Sequence, residues 1–109
     1  MTQNNAELPY DIRQQLDTLG QRIRTARVRR RWSTEELAQA CGVGRRTLYR
    51  VENGDPGVAL GTWLGVLWKL GLLHTLDGVA HPDSDEHGKI LEAAARPQRV
   101  RAAVENLDF

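Results

Sequence analysis

The chain has 109 residues, 15 basic and 14 acidic side chains, and a formal net charge of +1. That is room for one small domain with extensions, and a single cysteine excludes an internal disulfide. No signal peptide and no long apolar run stands in the sequence, which points to a soluble, cytoplasmic protein without a membrane partner.

Residues 1–8 are polar and expected to be loose. Pro9 suits a first helical turn, and Ile12, Leu16, Leu19 and Ile23 follow at spacings of four, three and four. One long helix over about 10–31 is therefore predicted. Gly20 is a candidate break, which would start the core helix near Thr18 and make residues 1–17 an N-terminal extension. Arg22, Arg24, Arg29, Arg30 and Arg31 read as exposed, whereas Arg27, four residues after Ile23, falls on the inward side. Trp32 is expected to cover the edge of the core.

Residues 33–54 organise the rest of the chain. Ser33 and Glu36 have the spacing of a capping box, in which each side chain satisfies the other's backbone donor. Leu37, Ala38 and Cys41 share one apolar helix face, and Gly42 ends that helix. The next helix begins near Gly44, carries Leu48 and Val51 inward and stops at Asn53-Gly54. Two short helices joined by a turn of three or four residues make a helix-turn-helix. The outward side of the second helix bears Arg45, Arg46, Tyr49 and Arg50, a row of hydrogen-bond donors. Residues 19–54 hold nine arginines against Glu35, Glu36 and Glu52, whereas residues 55–109 hold five basic and eight acidic side chains. A basic block beside an acidic one fits a polyanion-binding module with a differently employed tail.

Asp55-Pro56-Gly57 reads as a turn, and residues 60–70 as a further helix. Leu60, Trp63, Leu64 and Leu67 share one face of it, and Val66, Trp68 and Leu70 widen that face to roughly half the circumference. Gly71 ends this helix, and Leu72, Leu73, Leu76 and Val79 form an apolar cluster on a short fifth one. A stripe that wide exceeds what a small core needs, so Val66, Trp68, Leu72, Leu73 and Leu76 are the candidate dimer or partner interface. Beyond residue 79 the composition turns acidic and polar. His81 and His87 stand among Asp83, Asp85 and Glu86 at spacings that match no standard metal site. Residues 89–96 and 98–107 read as short helices around Pro97, and the terminal Asn106-Leu107-Asp108-Phe109 as a docking peptide or a disordered end. No nucleophile motif, phosphate loop or Cys/His ligand set is present, so neither enzyme activity nor a cofactor is expected.

Three motifs carry a resemblance: Arg-Ile-Arg-x-x-Arg over 22–27, Glu-Leu-Ala-x-x-x-Gly-Val over 36–43 and Tyr-Arg-Val-Glu-Asn-Gly over 49–54. With them, the segment 19–71 resembles the helix-turn-helix domain of the phage-repressor (Cro or XRE) family. More narrowly, Arg-Arg-Thr-Leu-Tyr-Arg-Val-Glu-Asn-Gly-Asp-Pro and the following Leu-Gly-Thr-Trp-Leu-x-Val-Leu-x-x-Leu-Gly-Leu-Leu resemble HipB-type antitoxins. The resemblance implies an all-α, five-helix, lambda-repressor-like domain over 18–79; the composition beyond it reads as a partly helical or disordered tail over 80–109. It also implies an ion pair between Arg27 and Glu52 and a phosphate contact at Asn53. Gly44 departs from the family's frequent Ser or Thr, so no side-chain contact is expected there.

The function expected is sequence-specific binding of a palindromic double-stranded DNA operator by a homodimeric repressor. Arg45, Arg46 and Arg50 would reach base edges, with Thr34 beside them; Ser33, Tyr49, Asn53 and Arg29 would hold the DNA backbone. The narrower resemblance adds the role of antitoxin to a HipA-type kinase toxin. A stand-alone regulator of the same family is the alternative, and a protein-interaction module serving an acidic partner is a third.

Overall fold

A computed structural model describes residues 7–95. Among these the chain is all-helical, with no strand: α1 (Tyr10–Arg29), α2 (Thr34–Cys41), α3 (Arg45–Glu52) and α4 (Leu60–Lys69) precede two short 3-10 helices, Leu73–Gly78 and Pro82–Ser84. Residues 86–95 are helical again. Two compact units divide between His74 and Thr75, whereas the sequence placed the change after Val79. The expected helix over 98–107, the terminal peptide and most of the polar start lie outside the described residues.

α1 runs unbroken through Gly20, the longer of the two readings. A Cβ at Gly20 would lie 2.5 Å from the Glu52 carbonyl oxygen and 2.8 Å from that of Val51. The glycine therefore lets α1 and the end of α3 touch backbone to backbone. Gly54 does the same from the other side: it has φ +71°, and a Cβ there would meet the Leu16 backbone at 2.8 Å. α1 closes over Arg30, with Trp32 N donating to Arg27 O. Arg31 takes φ +57° in that closure, a conformation L residues adopt at a cost.

α2 starts with the capping box: Glu36 N donates to Ser33 Oγ at 3.0 Å and Ser33 N to Glu36 Oε1 at 2.9 Å. Gly42 ends it with φ +70°. α3 packs on both α1 and α2, and α4 packs on α2. The core is Ile23 and Ala26 of α1, Leu37 and Ala38 of α2, Leu48 and Val51 of α3, Val58, and Trp63, Val66, Leu67 and Leu70 at the fourth helix.

Three expectations differ from the structure. Val66 is fully buried and so belongs to the core, not to an interface. Leu60, expected to face inward, is 71 % exposed. The inward stripe of α4 is 63, 66, 67 and 70, a rotation from the expected one, because apolar residues on half the circumference do not fix which part is buried. Trp68 is then 62 % exposed, with Lys69 Nζ 4.9 Å from its ring centroid. The region expected to form a fifth helix is a 3-10 helix with no buried residue; Leu72 and Leu76 are half-buried and Leu73 exposed. In the second unit Asp85 starts the helical stretch 86–95, accepting from Gly88 N and, through its carbonyl, from Lys89 N.

Candidate nucleic-acid interface

The start of α2 and the outward side of α3 enclose an open depression of about 620 Å³, lined by Thr34, Arg45, Arg46 and Tyr49. The local cause is the register of α3. Leu48 and Val51 are buried against α1 and α2, which turns positions 45, 46 and 49 to solvent. Gly44 begins α3 without a side-chain cap, so no side chain of its own stands over the helix start.

The remaining candidates sit elsewhere. Arg50 Nε donates to Asp55 Oδ2 at 2.7 Å, so this arginine, expected on base edges, is held toward the turn after α3. That bond and the one from Gly57 N keep the Asp55 carboxyl below its usual range. Asn53 Nδ2 donates to Tyr49 O at 2.7 Å and so closes the end of α3. Ser33 is engaged in its capping box, where its backbone N–H and then its hydroxyl depress the pKa of Glu36. Arg29 is exposed on the last turn of α1 and does not line the depression.

Arg27 holds the frame behind this face. Its Nε donates to Glu52 Oε2 at 2.7 Å, its Nη2 to Glu52 Oε1 at 3.0 Å and its Nη1 to Trp32 O at 3.0 Å. Three bonds from one guanidinium tie α1, the end of α3 and the turn into α2. The side chains are 11 % and 8 % exposed, and the hydrogen bonds from Arg27 to Glu52 raise the arginine's pKa against the opposing pull of burial. Cys41, half-buried at the end of α2, has its thiol pKa pushed up by burial.

A helix-turn-helix domain model matches residues 18–75. The chain belongs to the helix-turn-helix domain family. The match opens inside α1 and covers α2, α3 and α4, so the depression lies wholly within the helix-turn-helix. No curated protein and no solved structure matches the chain significantly. A helix-turn-helix points to DNA binding and regulation, the chemistry for which exposed arginines on its second helix are suited. Among the described residues no helix is long and apolar enough to cross a membrane.

Sequence reasoning passed over one residue of this face. Glu35 Oε1 accepts from Arg45 Nη1 at 2.8 Å. Ten residues and a turn separate the two, so no helical spacing announces the contact; only the docking of α2 against α3 creates it.

Proposed function

We propose that the chain is a sequence-specific repressor that binds duplex DNA as a dimer, with α3 entering the major groove. The observation that carries this reading is the depression between α2 and α3, where Arg45 and Arg46 stand exposed beside Thr34 and Tyr49. Arginine on guanine O6 and N7 is the commonest specific contact in that groove. Arg29 and the uncapped start of α3 serve the phosphates. Arg50 is the auxiliary reader, since it must leave Asp55 to reach DNA. Exposed Trp68 and Leu73 support self-association through the flank of the fourth helix. The protein acts in the cytoplasm on the nucleoid, as a binder and not as an enzyme. The motif resemblance over 45–73 supports a role as antitoxin to a HipA-type kinase, and capture of such a kinase from the native host separates that role from a stand-alone regulator's.

The DNA reading is tested by replacing Arg45 and Arg46 together with Ala. Specific binding is expected to fall by about 2–6 kcal/mol, the sum of two base contacts, with helicity unchanged. Unaltered selectivity in titrations against the preferred duplex would show that another surface reads the DNA.

A further inference from the structure

The reading face carries one side chain of the wrong sign for a polyanion. Glu35, the second residue of α2, accepts from Arg45 at 2.8 Å, and the two side chains are 73 % and 69 % exposed. An ion pair so open to water adds next to nothing to the fold. The start of α2 is already satisfied by Ser33 and Glu36. Glu35 is bonded to Arg45 and follows Thr34 in the chain, two of the four residues that line the depression. A carboxylate there repels each phosphate that approaches and finds no donor in the DNA backbone. In the major groove it does find donors, above all the N4 amino group of cytosine. A G·C pair presents that donor beside guanine O6 and N7, the acceptors arginine prefers.

Resting on the DNA-binding reading above, we infer that Glu35 is a specificity-determining residue that reads one G·C pair jointly with Arg45. In the free protein the carboxylate restrains the Arg45 guanidinium. On the right sequence Glu35 accepts from cytosine N4 while Arg45 donates to guanine. On other sequences the carboxylate meets phosphates, acceptors or, at adenine, a donor flanked by the repelling N7 acceptor, and Arg45 stays neutralised, so non-specific binding is weakened as well. Discrimination of this kind, by a repulsive element beside an attractive one, needs no further contact.

Selection from a randomised duplex library, run on the full-length wild type, Glu35→Ala and Glu35→Gln, tests this. Wild type is expected to require G·C at one position. Glu35→Ala should lose that preference by roughly 5- to 100-fold, the worth of one good base contact. It should also bind a scrambled duplex more tightly, with a salt slope steeper by about one, because Arg45 is freed for a phosphate. Glu35→Gln, with an amide in place of the carboxylate, should shift the preference at that position toward adenine. Identical selected sites and identical scrambled-duplex affinity in wild type and Glu35→Ala would overturn the proposal and leave the DNA reading standing. A wild type that selects no sequence at all would defeat the DNA reading itself, and this proposal with it.

Discussion

Two arginine–glutamate pairs of nearly equal length stand in opposite surroundings. Arg27 and Glu52 meet at 2.7 Å behind the helix-turn-helix, 11 % and 8 % exposed; Arg45 and Glu35 meet at 2.8 Å on its front, 69 % and 73 % exposed. The inner pair adds a second bond to the same carboxylate and a third to the Trp32 carbonyl, whereas the outer pair has one. The same chemistry is structural where water is excluded and exchangeable where it is not, since desolvation fixes what losing one partner costs. The inner pair holds α3 in place, and the outer one lies open to solvent and to exchange with another partner.

The largest effect expected from breaking this contrast is at the inner pair. Arg27→Met leaves Glu52 buried without its cation and should cost about 3–5 kcal/mol in chemical denaturation. Adding Glu52→Leu should recover much of the loss, because an apolar pair of similar volume leaves no orphaned charge. Losses that simply add in the double variant would show that the pair is not the unit the geometry suggests.

Gly20→Ala probes the same junction through the backbone. Helix propensity alone favours alanine by about 1 kcal/mol. Against that, the new Cβ would meet two carbonyl oxygens of α3 at 2.5 and 2.8 Å, and neither can swing aside as a side chain could. Overpacking of this kind costs about 1–3 kcal/mol, so a net loss of up to about 2 kcal/mol is expected in the melting curve. A stabilised Gly20→Ala protein would mean that α1 and α3 are farther apart than described.

Much of this was legible beforehand and some was not, for identifiable reasons. The capping box at Ser33, the turn at Gly42, the stop at Gly54 and the inward Leu48 and Val51 follow from local chemistry, which is why α2 and α3 could be placed almost to the residue. The Arg27–Glu52 contact came from the motif resemblance and not from spacing. α4 was harder: its apolar residues outnumber what the core takes, so the pattern left its rotation open and Val66 and Leu60 were exchanged between core and surface. Gly20 was ambiguous because a break and a close approach demand the same residue. Glu35 and Arg50 were invisible as partners, since their contacts depend on how a turn brings other residues to them.

A smaller effect, of opposite sign, is expected at the closure of α1. Arg31 holds φ +57° where glycine carries no Cβ penalty. The left-handed conformation costs an L residue about 1–2 kcal/mol, and glycine's added freedom in the unfolded chain returns part of that. Arg31→Gly should therefore stabilise the domain by about 0.5–1 kcal/mol in thermal unfolding. If it also weakens DNA binding, the strain is retained for the charge, which makes the turn into α2 part of the basic front with Arg45 and Arg46.

The smallest expected effect sharpens the comparison most. A double-mutant cycle on Glu35→Ala and Arg45→Ala should give a stability coupling of about 0.2–1 kcal/mol, the range of exposed pairs. Salt separates the two pairs further. At about 1 M ionic strength the screening length falls to about 3 Å, comparable to the outer pair's own separation and open to ions on every side. Its coupling should then vanish, whereas the coupling between Arg27 and Glu52, shielded from solvent by the packing of α1 on α3, should persist largely unchanged. An outer coupling that matched the inner one and resisted salt would mean that Glu35 is part of the frame. Arg45 would then not be free to exchange it for a base, and the front of the domain would be as fixed as its back.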